Sequence, residues 1–442
     1  MIGAPVARAD GAPSPAVAPP PGNPRFPLFD GLRAIAVLAV VAFHVAILGG
    51  ALERPVAGDA LVQLGALGPI VFFAISGFLL YRPWVAARAA RAPAPAAARY
   101  ARRRALRILP AYWVALTLLA VFPGIAGVFS DDWWRYYLFL QAYDPATLGR
   151  GIPVAWTLCV EVAFYVALPF WGLLLARLRI GHGPDGWLRA ELAALAAIAV
   201  AAVTIQVAAS RQEVSAVLAQ SIAGQAVWLA LGMALAVVSV AAADQRRIAG
   251  ITRAIGAHPG WCWVVALAAF AALGALHSEV DGLFALVAAL REPQPLAETL
   301  AGIALTGVVV ALLLAPAIFG ADAGALPRRV LAIAPLAWLG LVSYGVYLWH
   351  LTIASWLARP SMPAQFEASG LDLADRIPFA VTPILFVLTL GAACAVAALS
   401  YRWIELPALR RKETGAAGHT PPSSEPHAGS PVNPSEDGAP QP

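Results

Sequence analysis

The chain has 442 residues, of which 60% are hydrophobic and only 12% are charged, and its mean hydropathy is +0.72. A soluble domain carries about twice that fraction of charge, so this composition excludes an ordinary water-soluble protein. The net charge of +5 comes from arginines in short segments between apolar runs, as membrane topology requires, and indicates no nucleic-acid partner. Three widely spaced cysteines argue against a disulfide framework and a zinc site, and we expect no metal.

The two ends of the chain differ from its middle. Residues 1–24 are rich in Pro and Ala and have no apolar core region, so they are not a signal peptide and are expected to form a disordered tail. Residues 413–442 are rich in Pro, Ser and Gly, which also predicts disorder. Between them, residues 25–412 are expected to form one membrane domain.

Long apolar runs without alternation favour transmembrane helices over a β-barrel. The predicted fold is therefore all-α, a polytopic helical bundle that crosses the lipid bilayer about ten times. The predicted spans are 28–49, 61–81, 108–128, 154–176, 190–209, 219–243, 260–277, 297–319, 333–357 and 378–401.

Basic residues are unevenly divided between the two sides of these spans. If the N-terminus is inside, twenty-two of the thirty basic residues fall in cytoplasmic segments and seven in segments on the opposite side. This bias predicts that both termini are cytoplasmic and that the chain is a multi-pass protein of the plasma or inner membrane.

The first predicted span carries Asp30 and Arg33 in its inner part and His44 in its outer part. An arginine inside a span costs about 2.5–3.5 kcal/mol and indicates a functional site. Eleven positions turn a helix about 20° beyond three full turns and advance it by about 16 Å, so Arg33 and His44 share one face. A purely structural pair between Arg33 and Asp30 is compatible with this hypothesis and stays open.

Two further spans carry ionisable residues at a depth similar to that of His44. Glu161 is expected about two turns below the outer surface, and His350 lies in the outer half of the ninth span. Ser343 and Tyr347 precede His350 at helical spacing and share its face. A histidine near a carboxylate in a poorly solvated site is suited to proton transfer, although His350 could instead serve only as a hydrogen bond between helices.

An arginine cluster precedes the third span. Arg104 and Arg107 lie three positions apart on one helical face, next to Arg102 and Arg103. The fork of a guanidinium group suits phosphate oxygens, so the cluster predicts a site for a nucleotide-bearing donor at the cytoplasmic mouth. These arginines could also be ordinary positive-inside residues.

Six strings in order resemble the acyltransferase 3 family of integral-membrane O-acyltransferases, over residues 25–407. They are FDGLRAIAVLAVVAFH, FFAISGFLLYRPW, RRRALRILPAYW, AWTLCVEVAFY, SYGVYLWH and YRWIELP. The resemblance implies that an acyl group, commonly acetyl from acetyl-CoA, moves to a hydroxyl of a sugar, a cell-surface glycan or a secondary metabolite. It also implies that His44 and Arg33 are essential, with Arg104 and Arg107 at the CoA end. Thr157 stands where the family often has Ser, which keeps a hydroxyl group.

The residues and the resemblance together give one hypothesis for the site. His44 is expected to act as a general base, or less favourably as a transient acyl carrier, with Glu161 or His350 orienting its ring or binding the acceptor. The complete predicted site comprises catalytic His44, Glu161 and His350; acyl-CoA-binding Arg33, Arg103, Arg104 and Arg107; and lining residues Asp30, Ser76, Trp156, Ser343 and Tyr347.

Other functions stay open from the sequence. Some relatives append an extracytoplasmic domain, so we expect transfer to finish within the membrane domain or on a separate extracytoplasmic partner. Ten spans with buried charges also fit a transporter or flippase for a glycan or lipid-linked intermediate. A sensory membrane protein that has lost activity is a third reading, against which the retained ionisable residues weigh.

Overall fold

The computed structural model describes residues 26–53, 57–177, 186–277, 293–320, 324–358 and 381–414. Over these residues the chain is an all-helical bundle without strands, and ten helices are long and apolar enough to cross a membrane. The predicted fold class is therefore confirmed. The predicted tails fall outside the described residues, except for 413 and 414. The side of the membrane on which each terminus lies stays a prediction.

We number the ten long helices in chain order. They are α1 Leu28–Leu48, α2 Ala57–Ala89, α3 Ala97–Val121, α4 Trp156–Arg177, α5 Gly186–Ser210, α6 Ile222–Asp244, α7 Pro259–His277, α8 Leu296–Ile318, α9 Ala334–Ala358 and α10 Val381–Ser400. A π-helical turn, Tyr401–Glu405, and a final helix, Leu406–Thr414, continue α10.

Helix α3 differs most from its predicted span, 108–128. It begins eleven residues earlier, at Ala97, because Ala and Arg are strong helix formers and long Arg side chains can carry their charge out to water. It ends at Val121, because Pro123 lacks an N–H group and Gly124 has a φ of 95° that a regular helix does not use. The arginine cluster therefore lies on helix α3 and not in a loop.

Helix α1 occupies the centre of one half of the bundle. It packs against α2 and α9, and also contacts α10, and Leu32, Val37 and Val41 on it are fully buried. A Cβ atom at Gly340 of α9 would lie 1.8 Å from the carbonyl oxygen of Asp30, so only glycine allows this approach. Small residues at helix contacts are typical of membrane bundles and here bring the α1 and α9 side chains within reach of each other.

Residues 122–155 connect α3 to α4 through short helical turns at one end of the bundle. The Tyr112 hydroxyl on α3 donates to the backbone carbonyl of Tyr136, and the Tyr136 side chain is buried. Arg135 makes ion pairs with Asp132, at 3.0 Å, and with Asp144. The Tyr112 bond ties the segment to α3, and the Arg135 ion pairs join parts of the segment to each other.

Candidate active site

A cavity with both polar and apolar walls lies among α1, α2, α3, α4 and α9. Its walls combine cations, one carboxylate and several hydroxyl groups in a bundle that is otherwise apolar. Its polar lining residues include Arg33, Ser76, Arg104, Arg107, Glu161 and Tyr347. We call this space the arginine cavity.

A wider cleft continues from the arginine cavity, since Arg33, Arg104 and Arg107 line both. We call it the arginine cleft, because three further arginines, Arg82, Arg99 and Arg103, also line it, against the single carboxylate of Asp30. The two spaces form one path from a broad cationic mouth toward the interior of the bundle. Of the predicted donor-binding residues, Arg103 lies on the cleft alone.

Several polar atoms around the cleft are buried without a hydrogen-bond partner among the described residues. They include the Tyr100 hydroxyl, Arg103 Nε and Arg104 Nε. A buried donor that makes no hydrogen bond costs about 1–3 kcal/mol, so such groups indicate a missing partner. An anion with several oxygen acceptors fits these donors and the excess of positive charge.

Arg33 stands where the arginine cavity meets the arginine cleft. Its Nη1 donates to Asp30 Oδ1 at 3.1 Å, one helical turn away, so the pair predicted from the sequence is confirmed. Each side chain keeps about a fifth of its surface exposed, at 21% and 19%. The ion pair therefore orients Arg33 and still leaves its guanidinium open to the path.

Glu161 lies with the arginines and not with the histidines. Ser76 Oγ donates to Glu161 Oε1 at 2.7 Å, and the Tyr165 hydroxyl donates to the same oxygen at 2.5 Å. The prediction that Glu161 converges with His44 and His350 is wrong in this respect. Depth along a helix does not decide which neighbour a side chain faces, and the rotation of α4 turns this carboxylate toward α2.

His44 and His350 are in direct contact across the α1–α9 interface. His44 Nδ1 lies 3.2 Å from His350 Nε2 and 2.9 Å from the Val40 carbonyl oxygen. His350 is fully buried, and its Nδ1 lies 2.9 Å from the carbonyl oxygen of Tyr347. We call these two residues the histidine pair.

The hydrogen bonds of the histidine pair assign its protons. A carbonyl oxygen only accepts, so Nδ1 of a neutral His350 carries its proton and its Nε2 is an acceptor. His44 Nδ1 then faces two acceptors and must donate. The lone pair of a neutral His44 is therefore on Nε2, which makes no hydrogen bond among the described residues.

Tyr347 separates the histidine pair from the arginine cavity. Its ring lines the cavity, and the ring centroids of Tyr347 and His350 are 5.9 Å apart. Its hydroxyl donates to the Val154 carbonyl at 2.7 Å and accepts from Thr157 at 2.7 Å. The histidine pair thus lies next to a residue of the cavity wall.

The other predicted lining residues divide between the cavity and the packed core. Ser343 lines the cavity and donates to the Gly340 carbonyl at 2.8 Å. Trp156 does not line the cavity; its ring packs 6.3 Å from that of Phe73, so its predicted place at the site is wrong. Sequence reasoning missed Tyr165, although its position four residues after Glu161 puts it on the same helical face.

Comparison with known proteins agrees with this arrangement. A family model described as an acyltransferase domain matches residues 27–399. The chain belongs to that family. The match confirms the resemblance drawn from the six sequence strings and covers every residue of the arginine cavity and the histidine pair.

Two named relatives are similar to this chain. Acyltransferase MdmB of Streptomyces mycarofaciens is 31% identical over 207 residues, 44% of this chain and 50% of that protein. Peptidoglycan O-acetyltransferase OatA of Listeria monocytogenes is 22% identical over 408 residues, 86% of this chain and 55% of that protein. The chain thus spans about half the length of these relatives. No solved structure matches it.

Proposed function

We propose that this multi-pass membrane protein is an O-acyltransferase that moves an acyl group from acyl-CoA to a hydroxyl of a sugar, a cell-surface glycan or a secondary metabolite. One observation carries the proposal: a path lined by arginines ends at Tyr347, whose ring contacts the histidine pair. The names of the two relatives support acyl transfer, and that of OatA supports acetyl as the group and a cell-wall glycan as one acceptor class.

The arginine cleft suits the phosphate end of the donor. Its arginines outnumber its single carboxylate by six to one, and buried donors on Tyr100, Arg103 and Arg104 lack partners among the described residues. Guanidinium groups bind phosphate oxygens in pairs, which favours the phosphorylated nucleotide of CoA over an uncharged donor. The slender pantetheine arm then extends into the narrower arginine cavity, with acetyl-CoA as the preferred donor.

His44 is proposed as the general base. Its free Nε2 takes the proton of the acceptor hydroxyl while the hydroxyl oxygen bonds to the thioester carbonyl carbon, and the proton passes to the CoA sulfur as the carbon–sulfur bond breaks. His350 holds the ring by accepting from Nδ1. Tyr347 lies between the donor and this base in the proposal, because it lines the cavity and its ring lies beside that of His350.

Glu161 takes a different part in this proposal from the one the sequence predicted. Its carboxylate accepts from Ser76 and Tyr165 and lines the same space as Arg33 and Arg104. A fixed anion there balances part of the arginine charge before the donor arrives. Glu161 thus acts on the donor side, and it does not touch the reacting hydroxyl.

The positive-inside bias supports a cytoplasmic cleft in a protein of the plasma or inner membrane, where acyl-CoA is available. The acceptor then meets His44 from the other end of the bundle. A separate extracytoplasmic transferase is the proposed partner if the final acceptor is a polymer that cannot enter the membrane domain.

The test uses the full chain in lipid nanodiscs with acetyl-labelled acetyl-CoA. We expect release of free CoA and label transfer to a soluble glycan fragment. In His44→Ala the transfer rate should fall by about 10²–10⁴-fold, the usual contribution of a general base, with unchanged acetyl-CoA affinity. His258→Ala is the matched control, since that exposed histidine follows a short helix away from the site.

Full transfer by the His44→Ala protein would refute the role of the histidine. A wild-type protein that neither binds nor consumes acetyl-CoA would remove the donor assignment. The transporter or flippase hypothesis predicts that the protein, reconstituted in lipid vesicles, moves an acceptor across the membrane without consuming acetyl-CoA. The vesicle assay therefore distinguishes the two functions.

A further inference from the structure

Another pocket lies at the end of the bundle that carries the arginine cleft, and the proposed mechanism does not use it. It is bounded by α2, α6, the end of α8 and a short helix, Arg246–Ala257, that joins α6 to α7. We call this helix the connecting helix and the space the connecting pocket. Phe26 and Arg82 line both this pocket and the arginine cleft, so the two spaces are neighbours.

The connecting pocket is cationic. Arg82 and Arg253 line it, and no carboxylate of the described residues does. Arg82 Nε donates to Ser239 Oγ at 3.1 Å, and Arg253 Nε donates to the carbonyl of Ala249, one turn earlier, at 3.0 Å. These bonds orient the two guanidinium groups, whose Nη atoms form no hydrogen bond or ion pair within the described part of the chain. The Nη atoms can therefore donate to an anion in the pocket.

A buried arginine holds the wall where the connecting helix meets the end of α8. Arg328 is 3% exposed, and it donates to the carbonyls of Gly256, Pro316 and Phe319. The carbonyls at a helix C-terminus carry partial negative charge and would repel an anion, but here Arg328 compensates them. A Cβ atom at Gly320 would lie 2.3 Å from Arg328 Nη2, so glycine lets this contact form.

The connecting helix has the properties of a helix at a membrane surface. Its twelve residues are too few to cross a bilayer, which takes about 20, and it contacts α6, α7 and α8 at one end of the bundle. It exposes the cations Arg246 and Arg253 beside Ile251, which is 56% exposed. Trp261, at the start of α7, is 68% exposed. Arginines beside exposed apolar and Trp side chains are typical of the headgroup layer.

We propose that the connecting pocket binds the headgroup phosphate of an anionic phospholipid between Arg82 and Arg253. The phosphate diester supplies oxygen acceptors for the Nη atoms, and basic pockets between membrane helices bind such headgroups. Two cations without a carboxylate favour a lipid with net negative charge over a zwitterionic one, whose ammonium group finds no anion there. The apolar side chains of Phe26 and Ile318 in the wall, and of Ile251 outside it, suit a lipid better than free phosphate.

The test compares wild type, Arg253→Gln and Arg246→Gln, with phosphatidylglycerol as the probe and phosphatidylcholine as the zwitterionic reference. Native mass spectrometry during lipid titration measures the Kd of each lipid. We expect the wild type to prefer phosphatidylglycerol, and Arg253→Gln to raise its Kd about tenfold, as for one lost charge-assisted contact. Arg246→Gln is the matched control, because Arg246 is exposed on the same helix and does not line the pocket.

Three results of this comparison would overturn the proposal. They are a wild-type protein that binds both lipids equally, an Arg253→Gln protein with wild-type Kd, and equal losses in Arg253→Gln and Arg246→Gln, which would mean attraction by surface charge alone. Arg253→Lys keeps the charge and should recover part of the affinity. In nanodiscs, adding phosphatidylglycerol to phosphatidylcholine should raise the Tm of the wild type more than that of Arg253→Gln.

Two further measurements separate the lipid from other sources of phosphate. Inorganic phosphate added to phosphatidylcholine nanodiscs should leave the Tm of the wild type unchanged, and a rise equal to that with phosphatidylglycerol would mean a site for free anions instead. The Kd of acetyl-CoA should be the same in wild type and Arg253→Gln. A weaker binding of acetyl-CoA by Arg253→Gln would assign the connecting pocket to the donor, and the lipid proposal would then be wrong.

Discussion

The arginine cleft and the histidine pair belong to one proposed site but are built in opposite ways. The cleft is open, and several of its donors lack partners among the described residues. The histidine pair lines neither described polar space, and His350 is fully buried with both ring nitrogens engaged. A flexible, highly charged donor needs room and many cations, whereas a base needs one fixed orientation.

The largest effect on activity is expected when the histidine pair, which we call the fixed end of the site, is changed. His350→Phe keeps an aromatic ring but removes one of the two acceptors of the His44 Nδ1 proton and leaves only the Val40 carbonyl, so the imidazolium that forms during transfer loses a charge-assisted hydrogen bond. Such a bond contributes about 1.5–3 kcal/mol, which predicts a fall in kcat of roughly 10- to 100-fold. Steady-state kinetics with acetyl-CoA should show KM unchanged.

His350→Gln provides the control for this prediction. Its amide oxygen can still accept from His44 Nδ1, so we expect it to keep more activity than the Phe variant. Equal activity of the two variants would contradict the assignment of the protons in the histidine pair. A rise in KM for acetyl-CoA instead of a fall in kcat would place His350 on the donor side. The contrast between the arginine cleft and the histidine pair would then be wrong.

The two ends also differ in how far the sequence predicts them. Asp30 and Arg33 lie on one helix three positions apart, so their ion pair follows from helical spacing alone. The sequence predicted only a similar depth for His44, His350 and Glu161, and the structure joins the two histidines while Glu161 bonds to Ser76 and Tyr165. Which helix a side chain faces depends on rotations set by close contacts, such as Gly340 against Asp30 and Gly77 against Leu229, that no single span reveals.

The sequence predicts the charge of the arginine cleft but not which helices and arginines form its walls. The spacing of Arg104 and Arg107 gave their common face. The early start of α3 at Ala97 and the contributions of Arg99 on α3 and Arg82 on α2 came only from the structure. Long basic side chains can continue a helix beyond the apolar layer, which hydropathy alone does not detect.

A smaller effect, confined to donor binding, is expected at the arginine cleft, which we call the open end of the site. Arg104 stacks over the Tyr165 ring at 5.9 Å and lines both polar spaces. Arg104→Ala should raise KM for acetyl-CoA about tenfold, since other arginines share the phosphates, and should leave kcat nearly unchanged. Binding measured at increasing salt should lose part of its ionic-strength dependence.

Arg402→Ala is the matched control, because that arginine is exposed and lines neither polar space. We expect it to bind acetyl-CoA as the wild type does. Equal losses in the two variants would mean that the basic surface as a whole, and not the cleft, attracts the donor. A change in kcat alone for Arg104→Ala would move this residue to the chemical step.

The smallest effect is expected in the segment that supports the fixed end. The N–H of Ala146 and the guanidinium of Arg135 hydrogen-bond the Asp144 carboxylate and hold its pKa below the usual range. A lowered folded-state pKa stabilises the fold above the ordinary carboxyl pKa, and this stabilisation is lost as pH falls through the folded value. Asp144→Asn should therefore lower Tm slightly at neutral pH, and this loss of Tm should shrink as the pH falls through the folded-state pKa of the wild-type carboxyl.

This segment also carries Val154, whose carbonyl accepts the Tyr347 hydroxyl beside the histidine pair. If the segment supports the fixed end, Asp144→Asn should lower kcat by a small factor at neutral pH and leave KM for acetyl-CoA unchanged. Glu213→Gln is the comparison variant, since its exposed ion pair with Arg211 lies on another connection. An Asp144→Asn protein that changes KM and not kcat would show that this segment serves the donor end, and the contrast between an open and a fixed end would then fail.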